Sequence, residues 1–376
     1  MYEKTLRSQI AALEAYAPGL SIEEIRQKYG LSQVIKMASN ENPLGTSPMA
    51  AEAIRRHAAE AFRYPRGGNP RLVRALADSL GSDSSRIVVG NGSDEIIDML
   101  IRMLAEPGRH NVTCFAPCFS LYPIQAGISG VMVRRAPLND DFSFDFTALL
   151  ALTDENTRLA FVTMPDNPSG FCPNADEVFD FATTLAKRAP QCLLVIDEAY
   201  IDFADDENHA SLWSSGRLPS NAAVLRTFSK SYGLAGLRLG FGILPQEIAD
   251  AYWRARLPFS VNILAEEAAL AALQDTCFRE ATFQTVREGR ALLTEELRNL
   301  GCTVWPSQAN FLLFKLPECG ISVADCFEAL LRRGIIIRRL NGYDLPNHLR
   351  VSIGNRQENA AFLAAMREIL AEGGRS

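Results

Sequence analysis

The stretch TFSKSYGLAGLRLG, residues 227–240, places a single lysine among hydroxyl-bearing and glycine residues. Lys230 lies between a strand-like run and a glycine-rich turn, and Arg238 follows eight residues later. A lysine amine can form an imine with a carbonyl compound when its surroundings keep it partly neutral. Thr227 and Ser229 offer small hydrogen-bond donors, and a planar arginine suits a phosphate. Taken alone, the stretch fits an imine-forming site or a glycine-rich loop with an exposed lysine.

The composition is that of an ordinary globular protein. The chain has 376 residues, 47% of them hydrophobic and 22% charged, which is long enough for two domains. The formal net charge is −6 and no long run of lysine or arginine occurs, which argues against a nucleic-acid partner. No apolar run resembles a secretory signal or the roughly 18 uncharged residues of a membrane span. We therefore expect a cytoplasmic protein without a nucleic-acid or membrane partner.

The cysteine and histidine residues do not form a metal-binding pattern. The eight cysteines are scattered without a C-x-x-C pair, and the four histidines lie far apart in the sequence. We expect reduced thiols and no metal site.

Helical and strand-like segments alternate from about residue 50 to residue 245. Helices are predicted at residues 48–60, 70–80 and 93–104, and strands at residues 111–116, 130–135, 157–164, 191–197, 222–228 and 237–244. Strands separated by helices predict an α/β fold with a mostly parallel sheet flanked by helices. Long helical periodicity and then short strands follow residue 258. We expect an N-terminal arm (1–35), a large domain (36–265) and a smaller α/β domain (266–376).

The segment QCLLVIDEAYIDF, residues 191–203, resembles a buried strand that ends in charged and polar groups. Functional groups in open α/β sheets gather at the carboxyl ends of strands, where Asp197, Glu198 and Tyr200 would lie. An aspartate buried there needs a partner, because an isolated buried carboxylate is costly. A protonated pyridine nitrogen is one such partner, and a helix cap or backbone N–H groups are another.

Two further segments place polar groups beside predicted strands. VTMPDNPSG, residues 162–170, ends a strand with a turn in which Asn167 can point back over the strand end. In RIVVGNGSDEIIDML, residues 86–100, backbone N–H groups around Gly92, Ser93 and Asp94 would face an anion at a helix N-terminus. Ser93 could instead be only an N-cap, and a dinucleotide site is a weak match without the third glycine.

Together these segments resemble the fold-type I pyridoxal 5′-phosphate (PLP) enzymes of the aminotransferase class. The spacing S-K-x-x-G-L-A-G-x-R-x-G covers residues 229–240, and motifs in the same order extend from Asn40 to Arg350. Within the class, SNENPLG (39–45), YPRGGNPRLVRALA (64–77), GNGSDEII (90–97) and LRTFSKSYGLAGLRLGFG (225–242) look most like the histidinol-phosphate aminotransferases. The resemblance implies a fold-type I PLP-transferase, with a large PLP-binding domain and a smaller domain.

The resemblance also implies a reaction. The expected activity is transamination between L-histidinol phosphate and 2-oxoglutarate, giving imidazole acetol phosphate and glutamate in histidine biosynthesis. An aromatic or broad-specificity aminotransferase and a threonine-phosphate decarboxylase remain alternatives on the same scaffold. A PLP-binding regulator is a third, but the 35 residues before Lys36 are too few and not basic enough for a DNA-binding module.

The family's cofactor-binding roles transfer by position. Lys230 would be the Schiff-base lysine, Asp197 the partner of the pyridine N1, and Tyr200 and Asn167 the hydrogen-bond partners of the 3′-oxygen. Phe119, where relatives often have tyrosine, would stack on the ring. The cofactor phosphate would be held by Gly92, Ser93, Asp94, Thr227, Ser229 and Arg238.

The family's substrate-binding roles transfer in the same way. Arg350 would pair with the substrate α-carboxylate, and Asn40 would line the same pocket. Arg338 and Tyr16 match positions that face the substrate phosphate, although AYAPGL (15–20) departs from the usual P-Y-x-P-G-K and lacks its basic residue. Tyr64 matches the tyrosine that reaches the phosphate in a neighbouring subunit's site, which implies a homodimer.

Overall fold

The computed structural model describes residues 5–11, 19–318 and 320–373. Within these ranges the α-helices are α1 (Ser8–Ala11), α2 (Ile22–Tyr29), α3 (Pro48–His57), α4 (Pro70–Leu80), α5 (Ser93–Leu104), α6 (Leu121–Ile128), α7 (Phe146–Ala151), α8 (Ala175–Arg188), α9 (Glu207–Ala210), α10 (Gln246–Ala255), α11 (Ile263–Ala272), α12 (Thr276–Asn299), α13 (Val323–Arg332) and α14 (Arg356–Gly373). The strands are β1 (Ile35–Lys36), β2 (Ile87–Gly90), β3 (Asn111–Ala116), β4 (Met132–Pro137), β5 (Thr157–Thr163), β6 (Leu193–Asp197), β7 (Ala222–Thr227), β8 (Gly240–Ile243), β9 (Thr303–Val304), β10 (Phe311–Lys315), β11 (Ile335–Ile336), β12 (Arg338–Leu340) and β13 (Leu345–Ser352).

A seven-stranded sheet in the order β2-β8-β7-β6-β5-β3-β4 forms the centre of the fold. Strands β3 to β7 pair in parallel, whereas β8 runs antiparallel to both β7 and β2. The predicted α/β class with a mostly parallel sheet is thus confirmed. Three predicted strands begin later than expected, at Met132, Leu193 and Gly240 instead of residues 130, 191 and 237. The last begins late because Ala235–Leu237 is a 3₁₀ turn and Arg238 has φ +54°.

Helices cover both faces of this sheet. Along β6, Val195 packs in one hydrophobic cluster with residues of α5 and α6, while Leu194 and Ile196 pack in another with residues of α8. Successive side chains of a strand point to opposite faces, so both faces of β6 are buried. This explains why the central strands are continuous hydrophobic runs without polar alternation.

A second sheet, in the order β12-β13-β10-β9, is antiparallel throughout. Hydrophobic side chains of α12, α13 and α14 pack with it in one cluster. The short strand β1 pairs in parallel with β11, which brings the start of the SNENPLG segment to this part of the chain. Nearby, Ile25 of α2 packs with Leu331 and Ile336. The division at residues 265 and 266 stays a prediction.

No helix in the described ranges is long and apolar enough to span a bilayer.

The loop that carries Lys230 packs tightly against the SNENPLG segment. Asn42 donates hydrogen bonds from Nδ2 to the backbone oxygens of Lys230 (3.2 Å) and Ser231 (2.9 Å). Gly233 has φ +68°, and a Cβ atom there would lie 2.0 Å from the backbone oxygen of Gly45. A side chain at this position therefore requires both a strained backbone and displacement of the neighbouring loop.

We expect Gly233→Ala to lower the free energy of unfolding by about 2 kcal/mol or more, since backbone strain and overpacking add. Gly236→Ala in the same loop is the control, because Gly236 is exposed and a Cβ atom added there would have no neighbour within 4 Å. That control should change stability by less than about 0.5 kcal/mol in denaturant unfolding. Equal losses in the two variants would contradict the packing argument.

Candidate active site

A cavity of about 250 Å³ lies at the carboxyl edge of the seven-stranded sheet. It is bordered by the ends of β5, β6 and β7 and by the start of α5. The predicted residues that line it are Ser93, Asp94, Phe119, Asn167, Asp197, Tyr200, Thr227, Ser229, Lys230 and Arg238. Ser39, Glu41, Thr163, Ala199 and Ala235 also line the cavity and were not predicted.

Lys230 is the amine of this cavity. Its Nζ donates a hydrogen bond to the backbone oxygen of Ser39 at 3.3 Å and lies 5.5 Å from the centre of the Tyr200 ring. Burial lowers the pKa of Lys230 from 10.5 to about 8, and the positive charge of Arg350 contributes in the same direction. A substantial fraction of the amine is therefore neutral near pH 8, as a nucleophile or base requires.

Asp197 is the buried carboxylate of the cavity, with 3% of its surface exposed. Its Oδ2 accepts a hydrogen bond from the Tyr122 hydroxyl at 2.8 Å, and its Oδ1 accepts one from the Ala199 backbone N–H at 3.1 Å. Burial raises the pKa of Asp197 to about 6, while these hydrogen bonds lower it. A carboxylate held in this way is suited to a cationic partner, such as a protonated ring nitrogen.

Tyr122 is a site residue that sequence reasoning missed. It is fully buried on α6, and its hydroxyl also lies 2.8 Å from the Thr163 Oγ1. Within the segment PCFSLY, residues 117–122, the family resemblance implies a role for Phe119 alone. Only the packing of α6 over β5 and β6 brings the tyrosine hydroxyl to Asp197.

Glu198, next to Asp197, has a different environment. Its carboxylate pairs with Arg226 at 2.7 Å and accepts a hydrogen bond from Ser211 at 2.7 Å. These contacts compensate the buried negative charge of Glu198. Glu198 lines a second, polar cavity and does not line the Lys230 cavity. The two consecutive acids, Asp197 at the end of β6 and Glu198 directly after it, therefore lie in different environments.

The start of α5 provides the anion-binding end of the cavity. Gly92, with φ +80°, precedes the helix, and no side-chain hydrogen bond caps it. A Cβ on Gly92 would lie 2.7 Å from Arg238 Nη2, and one on Gly240 would lie 2.2 Å from the Ser93 backbone nitrogen. Arg238 Nη2 also contacts Asp94 Oδ2 at 2.9 Å. Backbone N–H groups and a guanidinium thus converge where glycines permit close approach, an arrangement suited to a phosphate.

These groups fit PLP. The amine of Lys230 matches an aldehyde, the carboxylate of Asp197 matches a pyridine nitrogen, and the start of α5 matches a phosphate. Phe119 in the cavity wall packs edge-to-face on Tyr122 with ring centres 5.6 Å apart. Among the described residues, no group of three or more histidine, cysteine or acidic side chains is placed to hold a metal ion.

Two predicted substrate residues lie on neighbouring strands of the second sheet. Arg338 on β12 and Arg350 on β13 are directly paired, so their side chains share a face. Arg350 is 5% exposed and donates to Asn167 Oδ1 at 2.5 Å and to the backbone oxygen of Ala38 at 3.0 Å. Its Nε has no hydrogen-bond partner within the described part of the chain. Gly19 approaches Arg338, since a Cβ atom added to Gly19 would lie 3.4 Å from Nη1.

The remaining predicted residues lie elsewhere. Asn40 is 1% exposed and contacts Tyr200 from outside the cavity lining. Tyr64 is 81% exposed and stacks on Phe259, with ring centres 4.9 Å apart. Tyr16 lies outside the described residues. The substrate and subunit-interface roles of these three residues stay predictions.

Comparison with known proteins identifies relatives over nearly the whole chain. The family model of the class I and II aminotransferases matches residues 32–366. The histidinol-phosphate aminotransferase of Oleidesulfovibrio alaskensis is 57% identical over 97% of this chain and 95% of its own length. That of Akkermansia muciniphila is 40% identical over 98% and 99%. The crystal structure of the Sinorhizobium meliloti histidinol-phosphate aminotransferase in complex with PLP has a TM-score of 0.87, with 26% identity and 98% of each chain covered.

The lowered pKa of Lys230 predicts a pH dependence. The rate at which cofactor-free protein captures PLP, followed by visible absorbance, should rise with pH and level off above about pH 8, because only the neutral amine reacts. Lys230→Ala should give no lysine-bound absorbance band and almost no turnover. A rate that keeps rising to the ordinary lysine pKa of 10.5 would contradict the effect of burial.

Proposed function

We infer the function from one premise: this chain belongs to the class I and II aminotransferases. We propose that it transfers the amino group of L-histidinol phosphate to 2-oxoglutarate, giving imidazole acetol phosphate and glutamate in histidine biosynthesis. The observation that carries the reaction class is the placement of Lys230, Asp197 and the α5 N-terminus around one cavity. The relatives at 57% and 58% identity, named histidinol-phosphate aminotransferases, support the substrate. A biosynthetic enzyme of this kind would act in the cytoplasm.

The chain's own residues divide the work around the cofactor. When bound, PLP supplies an aldehyde for amines and a ring that accepts the electrons of the broken Cα–H bond. Lys230 Nζ, partly neutral near pH 8, would take the proton from the donor's Cα and deliver it to the carbon of the cofactor's aldehyde, and would carry a proton the opposite way when 2-oxoglutarate is the substrate. Asp197, held by Tyr122 and the Ala199 N–H, would carry the negative charge that keeps a ring nitrogen protonated. Tyr200 and Asn167 would supply hydrogen bonds to the ring oxygen.

Arg338 and Arg350 account for anionic substrates. Arg338 and Arg350 occupy paired positions on adjacent strands, so both positively charged side chains lie on one face of the sheet. A phosphate of the donor and a carboxylate of 2-oxoglutarate are both anions that arginine binds with paired hydrogen bonds. The same two residues can therefore serve both halves of the reaction.

An exposed aromatic patch supports the proposed homodimer. Phe62, Tyr64 and Leu257 are 77%, 81% and 68% exposed, and Phe259 stacks on Tyr64. Large exposed apolar side chains grouped in this way are typical of association surfaces. A second copy of the chain would cover these side chains. Tyr64 of one copy would then contact the cofactor phosphate bound in the other copy.

A screen of amino donors tests the proposed substrate. Histidinol phosphate should discharge the lysine-bound absorbance of the loaded protein much faster than phenylalanine, and threonine phosphate should release no CO₂. Arg338→Ala should lower kcat/KM for histidinol phosphate about 10- to 100-fold, the effect of losing a charge-assisted hydrogen bond. It should change the reaction of phenylalanine little, since phenylalanine carries no phosphate.

Arg339→Ala is the matched control for Arg338→Ala. Arg339 is the next residue of β12, so its side chain faces the opposite side of the sheet, with its guanidinium 5.7 Å from the Phe327 ring. The control removes the same charge and should leave donor preference unchanged. Equal losses on both donors in Arg338→Ala would show that Arg338 does not bind the phosphate.

Hybrid dimers test the position of Tyr64. A Lys230→Ala chain paired with a Tyr64→Ala chain would contain one site with both changes and one intact site, if Tyr64 serves the neighbouring subunit. Mixed chains should therefore be more active at limiting PLP than the sum of the two variants measured separately. Activity no higher than that sum would place Tyr64 in its own subunit's site or outside both sites.

A further inference from the structure

Asn40 is held rigidly between the two sheets. It has φ +54°, is 1% exposed, and its backbone oxygen accepts a hydrogen bond from Asn310 Nδ2 at 3.0 Å. Asparagine tolerates this left-handed conformation better than most residues. The backbone of Asn40 is thus held in place by contacts that do not involve its side chain.

Ser352, at the end of β13, determines which way the Asn40 amide points. The Asn40 backbone N–H donates to Ser352 Oγ at 2.8 Å, so that oxygen acts as an acceptor there. The hydroxyl has one proton, and Ser352 Oγ donates it to Asn40 Oδ1 at 2.9 Å. The reverse amide orientation would leave this proton without that acceptor at a residue only 4% exposed. The amide nitrogen therefore faces the other way, toward Tyr200.

Tyr200 receives the end of this hydrogen-bond chain. Asn40 Nδ2 lies 3.1 Å from the Tyr200 hydroxyl oxygen, and an amide nitrogen can only donate. Burial raises the pKa of Tyr200, so the hydroxyl keeps its proton. Because the oxygen accepts from Asn40, that proton is available to an acceptor in the cavity.

We propose that Asn40 is a positioning residue that makes Tyr200 a hydrogen-bond donor into the Lys230 cavity, directed at the ring oxygen of the cofactor. This inference rests on the proposed function, since it needs a ring oxygen as the acceptor. It also replaces the expected direct substrate contact of Asn40 with an action through Tyr200. The Ser352 hydroxyl, which accepts from the Asn40 backbone N–H, is the group that donates to the Asn40 side chain.

A donor at the ring oxygen has a measurable consequence. It stabilises negative charge on that oxygen, and it lowers the proton affinity of the nearby Lys230 nitrogen once the cofactor is attached. The pKa of the lysine-bound cofactor, taken from a pH titration of its visible absorbance, therefore reports whether Tyr200 donates. If Asn40 had only a packing role, replacing it would not shift the pKa of the lysine-bound cofactor in a defined direction.

Asn40→Asp tests the direction of the hydrogen bond. The aspartate has nearly the same shape, but when ionised it offers only acceptors, so the Tyr200 hydroxyl would donate its hydrogen bond to the introduced carboxylate instead of into the cavity. The pKa of the lysine-bound cofactor should rise by about 1 or more, as expected for loss of a hydrogen bond to a charged group. Since the added negative charge also raises this pKa, the same change is measured in a Tyr200→Phe background, where only the charge effect remains.

A clearly larger rise with Tyr200 present than in the Tyr200→Phe background supports the proposal. Equal rises in both backgrounds, or none in either, would overturn it. Ser352→Ala provides an independent arm if Asn40→Asp does not fold, because the amide can then rotate. It should raise the pKa in the same direction, and an unchanged pKa would count against the proposal. A wild-type protein that forms no visible band with PLP would overturn the proposed function itself, whereas equal rises overturn only the role of Asn40.

Discussion

The burial of Asp197 is the constraint on which the site depends. A carboxylate 3% exposed at the end of β6 is stable in its charged form only with donors around it and a cation in front of it. Tyr122 and the Ala199 N–H provide the donors, and the cavity provides the place for the cation. The same desolvation acts on Lys230, where it favours the neutral amine and therefore lowers the pKa. Desolvation thus lowers the pKa of the amine and raises that of the carboxylate, and the hydrogen bonds from Tyr122 and Ala199 oppose the second effect and favour a charged Asp197.

The two sheets contribute to this cavity in different ways. The seven-stranded sheet brings Asp197, Thr227 and the start of α5 together at its carboxyl edge, where the cofactor's ring and phosphate would be bound. The four-stranded sheet reaches the same place through Arg350, whose guanidinium donates to Asn167. Asn40 forms a second link, from Ser352 to Tyr200. The second sheet is therefore connected by hydrogen bonds to Asn167 and Tyr200 in the cavity wall, so a shift of that sheet would displace both side chains.

Much of the fold and of the cofactor site could be predicted from the sequence because they depend on local patterns. The apolar runs of β5, β6 and β7 are buried on both faces, and each strand ends in a polar residue, Thr163, Asp197 or Thr227. The helix starts at Pro70 and Ser93 agree with the predicted positions. The antiparallel direction of β8 was not predicted, since strand direction is set by pairing partners distant in sequence. The late start of β8 has a local cause, the left-handed conformation of Arg238, which only the structure revealed.

By itself, the sequence determined the chemistry of the site: which residue supplies the amine, which the carboxylate, and where glycines allow an anion close to the backbone. These features lie within short segments, so residue type and spacing are sufficient. Only the tertiary structure decided which groups surround them. Tyr122 reaches Asp197 across 75 positions and Ser352 reaches Asn40 across 312, and no local pattern records such contacts. The direction of a hydrogen bond likewise follows from the complete set of donors and acceptors, which exists only after the chain has folded.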